Sequence, residues 1–100
     1  MNDQKIEKEI QEKGLTAPRV TPDHIESVIV SEQYHVFEGT TFTSCLLTLK
    51  NGFTVHGESA CASPENFDAE LGRKIARYNA KNKIWMLEGY VLRERLSQSM

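Results

Sequence analysis

The stretch 63–97 constrains the fold most, because it is long, amphipathic and free of proline after its second residue. Ser63 suits a helix N-cap, and Pro64 suits the first helical position, where its missing N–H costs nothing. A stripe of apolar residues runs along this stretch, interrupted by Asn82 and Gly89. Its apolar members recur at three-, four- and seven-residue steps, so we predict that one side of a long helix covers the core with these residues: Phe67, Leu71, Ile75, Tyr78, Trp85, Leu92 and Leu96.

A second apolar line runs down a different side of the same helix. Two apolar faces need two partners. The strands before the helix supply one cover, and a neighbouring subunit is the economical choice for the other. The sequence therefore predicts a homo-oligomer with an interface formed by Ala76, Ala80, Ile84, Leu87 and Val91.

Length and charge narrow the class of protein. A chain of 100 residues makes one domain, and its net charge of −2 gives no general reason to bind a nucleic-acid backbone. No apolar run approaches the ~20 residues of a membrane span. The start, 1–13, is too polar for a signal peptide, so we expect a cytosolic protein without a membrane partner.

The N-terminal third divides into an arm and the start of the domain. Residues 1–16 form a charged arm. Within 2–14, Ile6 and Ile10 are the large apolar residues, and both a short docking helix and a frayed arm fit this pattern. The domain is predicted to span 17–100. Thr21 and Pro22 repeat the helix-start signal, which predicts a short helix over 22–30.

A hairpin is predicted between this helix and the long one. The stretch 41–50 is rich in β-branched residues and leads into Asn51-Gly52, a strong hairpin signal. A strand over 34–37, ending at a turn at 38–39, precedes it. A three-residue loop with Gly52 left-handed makes one side of the hairpin apolar, because it sets Leu49 opposite Phe53, Leu47 opposite Val55 and Cys45 opposite Gly57.

These elements together predict an α+β fold. In it, a short N-terminal helix and an antiparallel hairpin or small sheet pack on one long C-terminal helix. Gly57 lies in the second hairpin strand, where it allows close approach by another backbone or a ligand.

The reactive side chains form no recognisable catalytic or metal motif. The three histidines are scattered, and Cys45 and Cys61 lack metal-site spacing and an adjacent base. Phosphate-binding glycine loops are absent. We therefore predict no catalytic residue, no metal and no cofactor.

One basic ridge remains as a candidate site. Arg73, Arg77 and Lys81 follow one another at four-residue steps, so they line one side of the long helix. Such a ridge can hold phosphates through charge-assisted hydrogen bonds. A solvated helix face, with Glu70 and Lys74 as an ion pair, explains the same pattern.

Several motifs resemble one known family. They are the run 51–61, the tripeptide 66–68 (Asn-Phe-Asp), the run 72–76 and the segment 84–90 (Ile-Trp-x-Leu-Glu-Gly-Tyr). Together with 17–21 they resemble the small tailed-phage proteins named after genes 49 and 66 of two enterobacterial phages. The resemblance spans about Ala17 to Leu96 and implies a phage or prophage accessory protein that acts in the host cytoplasm.

A further similarity is to phage counter-defence sponges, which bind nucleotide immune signals such as cyclic ADP-ribose variants or cyclic oligonucleotides. It implies a small homo-oligomer that sequesters its ligand without turning it over. On this hypothesis Arg19, Arg73 and Arg77 hold phosphate. Phe53 or Tyr78 stacks a base, and sugar or base edges are bonded by Glu58, Asn66 and Asp68. The alternative is a protein-interaction module that inhibits or redirects a host protein.

Overall fold

A computed structural model describes residues 2–99, which form three α-helices, one 3-10 turn and three strands. The predicted α+β class is confirmed. The predicted arm (1–16) and domain (17–100) each include one terminal residue, Met1 or Met100, outside the described range. The elements are α1 (Asp3–Glu12), α2 (Pro22–Ser27), β1 (Ile29–Val36), β2 (Phe42–Leu49), β3 (Thr54–Ala60), the turn Pro64–Asn66 and α3 (Ala69–Gln98).

The three strands form one antiparallel sheet in the order β1-β2-β3, and α3 lies across one face of it. The predicted hairpin register is confirmed. Cys45 pairs with Gly57 and Leu47 with Val55. Gly52 has a φ of 90°, as the three-residue loop requires.

The core lies between the sheet and α3, and it reverses the predicted roles of the two helix stripes. Ala76, Ala80 and Ile84 of the second line are fully buried against the sheet. Leu71 and Ile75 of the first stripe are 54% and 44% exposed. The prediction that the first stripe covers the core is therefore wrong at these positions, whereas half-buried Trp85 of the same stripe does pack against the core.

Backbone proximity explains the reversal. A Cβ built on Gly57 would lie 2.3 Å from the Ala80 nitrogen and 2.5 Å from the Ala76 carbonyl oxygen. The α3 backbone thus rests directly on β3, which leaves room only for small side chains at the crossing. The bulky first stripe, with Tyr78 and Trp85, cannot occupy that position.

This reversal also corrects the predicted oligomer interface. Ala76, Ala80 and Ile84 lie in the core of the chain itself, so they cannot form a surface between subunits. Leu87 is half-buried and packs against the same core, while Val91 is 38% exposed. Self-association itself stays a prediction.

The helix starts are only partly as predicted. The Thr21 hydroxyl accepts a hydrogen bond from the His24 amide at 3.1 Å, so α2 begins where predicted, but it ends at Ser27 because β1 starts at Ile29. Ser63 and Pro64 open only the 3-10 turn. The true N-cap of α3 is Asp68, whose Oδ1 accepts from the Leu71 amide at 2.9 Å.

Candidate functional site

The basic ridge on α3 is largely neutralised by carboxylates of the same chain. The Arg77 Nε donates to Glu32 at 2.8 Å, and its Nη2 donates to Glu26 at 2.9 Å. Lys81 donates to Glu26 at 3.2 Å. The hydrogen bonds from Arg77 lower the pKa of both carboxyl groups. This cluster joins α2, β1 and α3 and carries no surplus positive charge.

Arg19 is committed in the same way. Its Nη1 and Nη2 donate to the two carboxylate oxygens of Glu7 at 2.5 and 2.6 Å. This bidentate pair lowers the pKa of Glu7 to about 2 and ties the linker after α1 back to that helix. Arg73 is exposed and, of the three predicted phosphate-binding arginines, is the one that forms no ion pair with another described residue.

A cleft between β3 and the start of α3 collects three of the predicted ligand-binding residues. Its volume is about 370 Å³, and Glu58, Asn66 and Asp68 line it together with Phe67 and Asn79. Asn79 donates to the Glu58 carbonyl at 2.8 Å, which fixes the cleft floor to the sheet edge. The Asp68 carboxylate and the amides of Asn66 and Asn79 suit hydroxyl or amine groups of a ligand better than phosphate. Glu58 contributes its backbone here, because its carboxylate lies at 2.9 Å from His56 on the opposite face of the sheet.

The remaining predicted residues lie elsewhere. Phe53 is 56% exposed beside the hairpin loop. Tyr78 lines a second cavity of about 330 Å³ between α1 and α3, together with Ile6, Ile10 and Trp85. The sequence indicated Ile6 and Ile10 as a docking pair, but it left the order of the arm open.

The face of the sheet opposite α3 has no covering helix among the described residues. We call it the free face. Leu46 lies at its centre, with Ser44 and Thr48 of the same strand on either side. At one end three rings pack edge to face: the centroids of His35 and Phe37 are 4.5 Å apart, and those of Phe37 and Phe42 are 5.6 Å apart.

The outer edge of β1 is a second unused surface. β1 has eight residues and lies at the end of the sheet, where it pairs with β2 on one side. An edge strand presents a row of backbone N–H and C=O groups that can pair with another chain. The opposite edge differs, because the side chain of Asn79 already bonds the Glu58 carbonyl there.

Within residues 2–99, no three His, Cys, Asp or Glu side chains converge to hold a metal ion. Cys45 is buried, and burial raises the pKa of its thiol, which disfavours the nucleophilic thiolate. The histidines at 24 and 56 lie within hydrogen-bond distance of Glu88 and Glu58, respectively.

A comparison with protein families identifies the chain. The model described as the phage protein (N4 Gp49/phage Sf6 gene 66) family matches residues 20–96. The chain belongs to this phage family. The match covers the sheet and most of α3 but leaves out α1. The resemblance drawn from the sequence motifs is therefore confirmed.

The comparisons with curated proteins and with solved structures found no similar protein. In the described part of the molecule, no helix is both long enough and apolar enough to cross a membrane.

Proposed function

We propose that this phage protein acts in the host cytoplasm as a non-catalytic interaction module that inhibits or redirects a host protein. The eight-residue edge of β1, beside the free face of the sheet, is the observation that carries this proposal. A host segment in extended conformation pairs with β1 and rests on the free face.

In strand addition of this kind, the backbone and the side chains contribute differently to binding. The backbone groups of β1 supply affinity by extending the hydrogen-bond ladder, and side-chain pockets supply specificity. The rings of His35, Phe37 and Phe42 lie at one end of the free face, and aromatic residues are enriched in protein interfaces.

The charge distribution supports a protein target over a phosphate-bearing one. Arg19 and Arg77 are held by the chain's own carboxylates, so a phosphate has to compete with Glu7, Glu26 and Glu32 for them. Breaking such pairs leaves charged groups partly desolvated without a partner. Arg73 alone is a weak anchor for a phosphate.

Affinity capture with chemical cross-linking tests the proposal. The tagged protein is incubated with host lysate beside a double variant, Phe37→Asp with Phe42→Asp, and a control variant, Phe53→Asp, which places the same charge beside the hairpin loop. We expect one host protein to be retained by the parent and the control, lost from the double variant, and cross-linked to residues of β1. Equal retention by all three proteins would contradict the proposal.

Sequestration of a small nucleotide signal is the second candidate. It is favoured by the cleft of about 370 Å³ that gathers Glu58, Asn66 and Asp68. Asn66 forms no side-chain hydrogen bond within residues 2–99, so its amide is available to a base or sugar edge.

Native mass spectrometry with a panel of cyclic nucleotides and ADP-ribose isomers tests this candidate. Binding adds the intact mass of one panel member to the protein. Asn66→Ala is expected to weaken that binding, whereas Glu70→Ala, an exposed change on α3 outside the cleft, is expected to leave it unchanged. No mass gain with any panel member would remove this candidate without affecting the protein-binding proposal.

A further inference from the structure

The side of α3 that faces away from the sheet carries a regular heptad pattern. The steps along it alternate strictly between four and three residues, which is the spacing of a coiled-coil seam. At ~100° per residue, this row lies about 170° around the helix from the line that packs on the sheet. We call it the outer stripe, and its members are Leu71, Ile75, Tyr78, Asn82, Trp85, Gly89, Leu92 and Leu96.

The rest of the chain covers this stripe incompletely. Leu71 and Ile75 are exposed by about half at the rim of the cleft of about 370 Å³, and Trp85 packs in part against the core. α1 lies over Tyr78, Asn82 and Trp85, but a cavity of about 330 Å³ remains beneath it and none of its described residues is buried. α1 also precedes the part of the chain that matches the phage family.

Two residues of the outer stripe have no explanation within one copy of the chain. Glycine is disfavoured in a helix interior, yet a Cβ at Gly89 would meet nothing within 4 Å. Asn82 is an exposed polar residue in an otherwise apolar row. A polar residue at a single core position of a coiled coil fixes the register of the two helices.

We propose that the outer stripe binds the outer stripe of a second copy in an antiparallel, twofold-symmetric helix pair. In this register the large side chain of Tyr78 fills the space above Gly89 of the other copy. Asn82 meets Trp85, whose indole N–H can donate to the amide oxygen. Apolar pairs form the ends, with Leu71 against Leu96 and Ile75 against Leu92.

The alternative parallel pairing fits less well. It sets Gly89 against Gly89, which leaves a void, and Trp85 against Trp85, which crowds the same seam. The antiparallel register also sets Lys81 beside Glu88 of the other copy, so opposite charges flank the seam at its centre. Within its own chain Lys81 bonds Glu26 and Glu88 lies near His24, so these charges are shared between the two contacts. The like charges of Lys74 and Arg95 meet only at the exposed ends, where salt screens them.

The sheet and the proposed seam lie on different sides of α3, and α2 lies beside the seam. Because the sheet lies on the opposite side of α3, the two sheets face outward and do not meet. α1 has to leave the middle of the stripe. None of the described side chains of α1 is buried, so none becomes newly exposed when the helix leaves. The bidentate ion pair of α1 is with Arg19, which belongs to the linker directly after the helix.

Sedimentation equilibrium over a range of concentrations tests the self-association. The parent is expected to reach twice its mass of 11.4 kDa. Leu92→Lys places a charge in the seam and should give a monomer with an unchanged circular-dichroism spectrum. The control Tyr90→Lys changes a 72% exposed neighbour off the stripe and should still dimerise. A parent that is monomeric at every concentration, or two variants that behave alike, would overturn the proposal.

Exchanging the large and small side chains at positions 78 and 89 tests the proposed register. Gly89→Leu should abolish the dimer, because the new side chain occupies the space assigned to Tyr78 of the other copy. Adding Tyr78→Ala to that variant should restore it. A dimer that survives Gly89→Leu would overturn the assigned register.

Orientation is tested with cysteine variants. Mixing Leu71→Cys chains with Leu96→Cys chains should give an intermolecular disulfide on oxidation, because these ends meet in the antiparallel pair. Leu71→Cys chains alone should not cross-link, and efficient cross-linking among them would establish the parallel arrangement and overturn the proposed one.

Discussion

Gly57 is the residue on which the packing of sheet and helix depends. The backbone of α3 passes so close that a methyl group at this position would overlap the Ala80 nitrogen and the Ala76 carbonyl oxygen. We expect Gly57→Ala to lower the free energy of unfolding by about 3 kcal/mol, because backbone atoms cannot move aside as a flexible side chain can. Urea denaturation measures this.

A matched control for this prediction is Glu58→Ala. It changes the next residue, whose exposed side chain lies on the free face, and should alter stability by no more than about 0.5 kcal/mol. Similar losses in the two variants would show that α3 does not rest on Gly57.

Thr43 is a second residue with a measurable consequence. Its side chain is fully buried, and its hydroxyl oxygen has no hydrogen-bond partner among residues 2–99. Thr43→Val keeps the shape and removes the unsatisfied group, so thermal or urea unfolding should show a gain of about 1 kcal/mol. Thr43→Ala, which leaves a void instead, should be less stable than the parent, and a Val variant below the parent would contradict this account.

At the scale of the element, α3 begins at a different residue from the one the sequence indicates. Asp68 caps the helix through the Leu71 amide, whereas the Ser63 hydroxyl donates to Glu65 instead of accepting from the helix. We expect Asp68→Ala to cost about 1 kcal/mol and Ser63→Ala to cost much less. Chemical denaturation of the two variants under the same conditions compares them directly, and equal losses would contradict the cap assignment.

The charged cluster of Arg77, Lys81, Glu26 and Glu32, which joins α2, β1 and α3, gives a further prediction. Arg77→Ala leaves Glu26 and Glu32 without their main partner and should lower the free energy of unfolding by about 1–2 kcal/mol, a value reduced by the partial exposure of both carboxylates. The control Lys74→Ala removes an exposed pair with Glu70 and should cost at most about 0.5 kcal/mol. A loss in the Arg77 variant no larger than that of the control would show that the charged cluster does not stabilise the fold.

Local rules predicted the hairpin but not the faces of the helix. The register follows from the two-residue period of strands and from the loop chemistry of Asn51-Gly52, so sequence neighbours decide it. A helix with two apolar lines is ambiguous, because either line can cover a sheet. The choice depends on Gly57, and the sequence predicts close approach there without saying which side of the helix approaches.

The candidate site was harder to predict for a related reason. The spacing of Arg73, Arg77 and Lys81 correctly places them along one helix, but their partners are remote in sequence. Arg77 bonds Glu32 and Glu26, 45 and 51 residues away, and Lys81 bonds Glu26, 55 residues away. Helical periodicity carries no information on such pairs. The cleft residues Glu58, Asn66 and Asp68 lie close in sequence on both sides of one turn, so they were easier to group.

For the whole molecule, the carboxylates paired with arginine predict acid sensitivity. Glu7, Glu26 and Glu32 have lowered pKa values in the folded chain, with Glu7 moving from 4.5 to about 2. The unfolded chain therefore binds more protons below its ordinary carboxyl pKa, and the stability from these pairs is lost as the pH falls from about 4.5 towards 2.

Urea midpoints measured over that pH range test this prediction. The parent should lose stability steadily as the pH falls, and Glu7→Gln should show a shallower slope because one of the three groups no longer titrates. A pH dependence that is identical in the two proteins would show that the Glu7–Arg19 pair does not contribute to folding.

The incomplete packing of α1 against α3 affects the protein concentration at which the proposed dimer forms. Because α1 is tethered to the helix side that a second copy is proposed to occupy, its effective local concentration is set by the short linker and is on the order of millimolar before any weak affinity is counted. A second copy in solution must outcompete it. The assembled form would then accumulate steeply only once synthesis in an infected cell has raised the protein past a threshold, and shortening or weakening α1 would lower that threshold.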